Sequence, residues 1–155
     1  MSPSIAAGTQ VDRDELTEFI EPGHKALLIT RRGDGSPQAS PVTCGVDAQG
    51  RIVVSTCPER AKARNARRDE RVSVVVRSDD FNGPWVRVDG TAEVVDGEQA
   101  VEPLVEHFRA ISREHPDREE YRQAMRRRRK ALLRITPRRR GPVATGGLPA
   151  HRAPR

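Results

Sequence analysis

The chain has 155 residues, with 28 Lys plus Arg against 22 Asp plus Glu and a formal charge of +6. That length suits one domain with a modest core, since 35% of residues are hydrophobic and 32% charged, and the positive balance favours an anionic partner. Cys44 and Cys57 cannot build a disulfide framework, no apolar run approaches a membrane span, and the opening residues lack a secretory pattern, so a cytoplasmic setting is expected.

In chain order, residues 1–11 lack periodicity and read as disordered. Asp12 stands where it can cap a short helix carrying Leu16, Phe19 and Ile20, with Asp14 and Glu15 suiting the helix dipole and Pro22-Gly23 ending it. Ala26–Thr30 has the length of a strand, and Arg32–Ser36 carries turn chemistry. Pro37–Val46 reads as a second strand, Asp47–Gly50 as a turn and Ile52–Thr56 as a third strand, which together make an antiparallel meander.

Pro58–Arg68 then reads as a helix with proline at its first position and Thr56 or Cys57 as N-cap. Val72–Val76 is a β-branched strand and Phe81–Pro84 a turn. Trp85–Val95 alternates, with Val86, Val88, Ala92 and Val94 on one face. Val101, Leu104, Val105, Phe108 and Ile111 recur at helical spacing, and Asp117 can cap a further helix through Tyr121 and Met125. Ala131–Ile135 is a last strand. Residues 12–137 thus form one domain, and 138–155 read as a basic tail rich in Arg, Pro and Gly. Many antiparallel strands with few helices predict a mainly β fold, a small barrel with flanking helices.

One segment carries the chemistry. Arg60 and Lys62 fall in the first turn of the helix after the third strand, where free backbone N–H groups and the positive end of the helix dipole favour a dianion. Ser55 and Thr56 add hydroxyls just before it. On the pattern alone a solvated basic helix stands equally well, because Arg64, Arg67 and Arg68 continue the run.

Four stretches taken in order extend this: Ser36-Pro37-Gln38-Ala39-Ser40-Pro41-Val42, Gly50-Arg51-Ile52-Val53-Val54-Ser55-Thr56, Glu59-Arg60-Ala61-Lys62-Ala63-Arg64-Asn65 and Asp69-Glu70-Arg71-Val72-Ser73-Val74-Val75-Val76. With Trp85–Val94, Tyr121–Met125 and Leu132–Pro137, this set resembles the pyridoxamine 5′-phosphate oxidase-like split-barrel superfamily. Within it, the set is most similar to the actinobacterial branch that uses the deazaflavin coenzyme F420. The resemblance runs from about His24 to Pro149.

It implies a split, FMN-binding-like β-barrel with Greek-key antiparallel strands, and a homodimer with the cofactor between its subunits. By the same resemblance Arg60 and Lys62, with Ala61 between them and Asn65 nearby, bind the cofactor phosphate. Gln38, Ala39, Ser40, Pro41 and Val42 line the ring system, and Ser55 and Thr56 touch the ribityl chain or ring edge. The region from Arg77 to Trp85 comes from the partner subunit. The chain departs from the family after its last strand, where Arg138-Arg139-Arg140-Gly141-Pro142-Val143 stands in place of an aromatic residue.

The implied activity is hydride transfer between reduced F420 and a planar or conjugated small-molecule acceptor, such as a tetrapyrrole or a quinone-like compound. The alternatives are an FMN-dependent oxidoreductase of the same fold and a non-catalytic carrier of F420, flavin or a haem-like ligand. No catalytic residue is assigned, because the cofactor carries the hydride. His24, His107, His115 and His151 lack metal spacing, so no metal site is expected, and Cys57 reads as an ordinary reduced thiol. The runs Arg126–Lys130 and Arg138–Arg140 read as a solvated helix end and tail. With 3% aromatics and no zinc or helix-turn-helix pattern, the sequence argues against a nucleic-acid partner.

Overall fold

A computed structural model describes residues 10–23, 25–112 and 117–145. Helix α1 (Arg13–Gly23) opens with a capping box: Asp12 Oδ1 accepts from Glu15 N at 2.9 Å, and Glu15 Oε1 accepts from Asp12 N at 3.4 Å. The helix includes Pro22 and Gly23, which the sequence reading put outside it.

The strands are β1 (Lys25–Arg31), β2 (Pro37–Val46), β3 (Ile52–Thr56), β4 (Arg71–Arg77), β5 (Pro84–Val95) and β6 (Ala131–Thr145). All neighbours are antiparallel and close into a barrel in the order β1-β2-β3-β6-β5-β4. The sequence-based expectation of a mainly β barrel with flanking helices holds. Gly35, at φ 86, makes the β1–β2 turn, and Asp34 Oδ1 pins it by accepting from the Ser36 amide and hydroxyl. The meander breaks after β3, whose successor β4 lies across the barrel beside β1. Helix α2 (Ala61–Arg68) makes that crossing.

Alternation along the strands builds the core. Ala26 and Leu28, Val72, Val74 and Val76, Val86 and Val88, and Ile52 and Val54 turn inward. Two helices plug the barrel. Helix α1 adds Leu16 and Ile20 at the β2–β3 end, where Arg13 donates to the Ala48 carbonyl, and α2 adds Ala63 and Ala66 beside the end of β1. A second cluster lies outside the barrel. Helices α3 (Val101–Ser112) and α4 (Arg118–Arg128) lay Val101, Leu104, Val105 and Met125 on Val53 and Leu132. A short 3-10 turn, Gly97–Ala100, leads into α3, and Asp117 caps α4 by accepting from Glu119 N.

Two sequence expectations are corrected. The last strand does not stop at Ile135: β6 runs to Thr145 because β5 is long enough to pair with it as far as Pro84↔Thr145. Register shifts in this ladder absorb the prolines that cannot donate to it. Residues 138–145 are therefore part of the barrel. Val11, read as disordered, is tied to the same strand, with its amide donating to the Arg140 carbonyl at 2.8 Å and its carbonyl accepting from Arg140 Nε at 3.1 Å. Residues 1–9 and 146–155, including His151, lie outside the described residues, as do His24 and His115.

Candidate cofactor site at the split of the barrel

Strand β2 pairs with β1 along Pro37–Thr43, but with β3 only at Cys44, Gly45 and Val46. Among the described residues the other edge of β2, from 37 to 43, has no strand partner, so its backbone N–H and C=O groups on that side remain to be satisfied. Gln38, Ser40 and Val42 are half-buried, while Ala39 and Pro41 are exposed. The Ser40 hydroxyl oxygen is buried and, among the described residues, has no hydrogen-bond partner.

At the end of β3, Ser55 is half-buried and Thr56 is buried. The chain then turns through residues 57–60, closed by Arg60 N donating to the Cys57 carbonyl at 3.0 Å. Helix α2 starts at Ala61, three residues later than expected. Pro58 serves this turn instead of the first helical position, a use of its fixed φ that sequence alone does not separate from the other. Arg60 is thus the N-cap residue, extended at φ −67 and ψ 149, and no side chain caps the helix among the described residues. Ala63 N and Arg64 N donate to the Arg60 carbonyl, whereas the amides of Ala61 and Lys62 precede the first intrahelical bond. Arg60 and Ala61 are exposed and Lys62 is half-buried. Burial lowers the Lys62 pKa, the Arg60 charge lowers it further, and Cys57 opposes both. Arg60 and Lys62 therefore flank an uncapped helix N-terminus that carries a partly desolvated cation.

Asn65 is buried and turned into the barrel end. Its Nδ2 donates to Thr30 Oγ1 at 3.1 Å, and its Oδ1 accepts from Arg68 Nη2 at 2.8 Å. Thr30, fully buried, donates to Gln38 Oε1 at 3.2 Å. Sequence reasoning missed Thr30, whose contacts bridge residues 35 and 8 apart and which reads only as a strand position, and Arg68, which reads only as part of a basic run.

Arg77 and Trp85 face each other across β4 and β5, and Arg77 also pairs with Lys25 at the start of β1, whereas Asn65 touches Thr30 near its end. One chain therefore does not bring Arg77 and Trp85 to Arg60 and Lys62. They line a separate depression of about 530 Å³ with Leu27, Val75 and Phe81, whose ring lies 4.9 Å from the Arg77 guanidinium carbon. Another depression, of about 410 Å³, lies between the β2–β3 hairpin and α3 and includes Val53, His107 and Arg134. The described residues contain no group of three or more His, Cys, Asp or Glu arranged to hold a metal. Arg126 of the basic run is exposed and pairs with Glu98 at the surface. No helix of the described residues is long and apolar enough to cross a membrane.

A closed six-stranded antiparallel barrel with flanking helices, in which β3 leaves one edge of β2 uncovered, is the architecture of the pyridoxamine 5′-phosphate oxidase class of split barrels. Residues 12–143 match the pyridoxamine 5′-phosphate oxidase family, and the chain belongs to it. Among solved structures it is similar to a conserved hypothetical protein of Mycobacterium tuberculosis, at 25% identity and a TM-score of 0.70 over 88% of each chain. It is also similar to an F420 reductase, at 17% identity and a TM-score of 0.58, covering 83% of this chain and 94% of that one. A third structure, general stress protein 26 of Bacillus anthracis, matches at 15% identity and a TM-score of 0.56 over 81% and 88%.

Proposed function

We propose that this chain is a coenzyme F420-dependent oxidoreductase that works as a homodimer and reduces a planar, conjugated small-molecule acceptor. One observation carries the reading: α2 opens on an uncapped N-terminus flanked by Arg60 and Lys62, and its Asn65 is tied through Thr30 to Gln38 on the free edge of β2. The residues present fit a phosphate-bearing flavin-type cofactor. Arg60, Lys62 and the amides of Ala61 and Lys62 suit its phosphate, and a phosphate would offset the desolvation of the Lys62 charge. The unpaired groups of residues 37–43 and the orphan Ser40 hydroxyl suit the polar edge of its ring. Exposed Arg64 on the same helix favours F420, whose glutamate tail adds negative charge beyond the phosphate. When bound, the reduced deazaflavin supplies the hydride, and the protein holds and orients it.

The homodimer reading rests on the outer face of β2-β1-β4-β5. The pairing register puts Pro41, Leu27 and Val75 in one row and Ala39, Ile29 and Ser73 in the next. Leu27 is 36% exposed and Phe81 78%. A second copy covering this face would bury its apolar centre and carry the partner's Trp85 toward the cleft that one chain leaves open.

The test is a fluorescence titration with oxidised F420 run beside FMN at matched salt. Saturable F420 binding with much weaker FMN binding supports the reading. Tight FMN binding with little for F420 makes the protein an FMN enzyme of the same fold, and failure to bind either overturns both.

A further inference from the structure

The hydrogen bonds that tie α2 to β2 have a direction, and that direction determines what the cleft can recognise. A guanidinium only donates, so Arg68 Nη2, bonded to Asn65 Oδ1 at 2.8 Å and to the Arg31 carbonyl at 3.0 Å, fixes which end of the Asn65 amide is oxygen. Asn65 must then offer its Nδ2, which donates to Thr30 Oγ1 at 3.1 Å. With that lone pair engaged, the Thr30 hydroxyl sends its proton to Gln38 Oε1 at 3.2 Å. The Gln38 oxygen is thereby committed inward. Its Nε2 has two protons, one of which goes to the neighbouring Ala39 carbonyl at 3.2 Å.

We infer that the relay Arg68–Asn65–Thr30–Gln38 makes Gln38 a specificity residue that offers the cleft a donor N–H, selecting a ring edge with a carbonyl acceptor at that point. Gln38 lies on the free edge of β2, in the stretch that β3 leaves uncovered. Thr30, Asn65 and Arg68 are positioning residues. Thr30 is wholly buried and Asn65 is 7% exposed, so neither can exchange its partner for water, and the polarity of the chain is locked. Asn65 therefore contributes to the site through Gln38 instead of through the cofactor phosphate. The inference rests on the reading that the edge of β2 holds a flavin-type ring, whose pyrimidine edge carries carbonyl oxygens.

The experiment combines two readouts on the full chain. The first is the side-chain amide NMR signals of Gln38 in isotope-labelled protein without cofactor, for wild type, Thr30→Ser and Thr30→Val. The second is the affinity for F420 and FMN of the same proteins and of Gln38→Glu, which keeps the acceptor for Thr30 and removes the outward donor. The expected result is a shifted, slowly exchanging Gln38 amide in wild type and Thr30→Ser that moves toward free-amide positions in Thr30→Val. Thr30→Val and Gln38→Glu should bind cofactor roughly tenfold more weakly, with Thr30→Ser close to wild type. An unchanged Gln38 amide in Thr30→Val overturns the relay, and unchanged affinity in Gln38→Glu overturns the donor role. If Thr30→Val does not fold, Gln38→Glu decides. A wild type that binds neither cofactor overturns the ring-edge reading, while the NMR comparison still decides whether the relay orders Gln38.

Discussion

A Cβ added to Gly90 on β5 would stand 2.4 Å from the carbonyl oxygen of Thr136 on β6 and 3.0 Å from the Ile135 side chain. This is a limit of space between two backbones, at the point where the β5–β6 register shifts between Asp89 and Gly90. Neither backbone can yield without disturbing the ladder that closes the barrel. Gly90→Ala is expected to cost about 1–3 kcal/mol, the usual range for overpacking a dense core. A lower urea midpoint with an unchanged m-value would bear this out, and an unmoved midpoint would mean that β6 slides freely.

Lys62 should trade stability for binding. Burial first, and Arg60 second, lower its pKa from 10.5, with Cys57 pulling the other way. The folded chain therefore releases this proton more readily than the unfolded one. Stability contributed at this position rises as pH climbs from the lowered folded value toward 10.5, and the charge weighs against folding below that window. Lys62→Met is expected to hold or raise the Tm of the cofactor-free protein at neutral pH while weakening F420 binding roughly tenfold or more. A fall in Tm with unchanged affinity would make Lys62 a structural residue.

The two thiols should differ in reactivity. Cys44 points into the barrel core, and burial pushes its pKa up to about 12, whereas Cys57 is half-buried in the turn before α2. The thiolate is the reactive form, so native protein should react at Cys57 alone and at both cysteines only after unfolding. Saturating F420 should slow the Cys57 reaction if the phosphate sits at the start of α2. Mass spectrometry of the labelled protein reads both outcomes.

Much of this fold is written locally. The ends of β2 and β3 coincide with the sequence expectation because turn residues flank uninterrupted strand patterns, and Asp12 and Asp117 cap their helices as their positions imply. What failed was decided by distant partners. Arg139, Arg140 and Val143 read as tail chemistry, yet β5 supplies a ladder long enough to recruit them. Arg60, Ala61 and Lys62 stand out in the sequence through their clustering and the family resemblance, but the start of α2 does not, because Pro58 suits a turn as well as a first helical position. The Thr30–Asn65 contact was illegible, since nothing local marks two polar residues that meet across 35 positions.

Acid should loosen the α3–α4 pair. Arg118, Arg122 and Arg126, one turn apart on α4, meet Glu106, Glu102 and Glu98 in reverse order. Hydrogen bonds from Arg126 and Arg122 hold Glu98 and Glu102 below 4.5. A depressed carboxylate contributes stability above its unfolded value and loses it as pH falls through the folded one, so this contribution should fade below 4.5. These groups are exposed, so added salt should imitate mild acid. Amide hydrogen exchange in α4, corrected for intrinsic rates, should rise under either condition while β4 stays protected.

Leu27→Glu is the sharpest test of assembly. Leu27 sits in the outer row between Pro41 and Val75, so a carboxylate there would have to be desolvated for a second copy to cover the face. The inward neighbours Ala26 and Leu28 are untouched, and the barrel core should survive. Light scattering is expected to give a dimer for wild type and a monomer for Leu27→Glu, with Tm changing little at concentrations where both are monomeric. If the proposed dimer brings the partner's Trp85 to the free edge of β2, F420 affinity should collapse with the dimer. A monomeric Leu27→Glu variant that binds F420 as tightly as wild type would mean that one chain forms the whole site, and the outer face would then need another occupant.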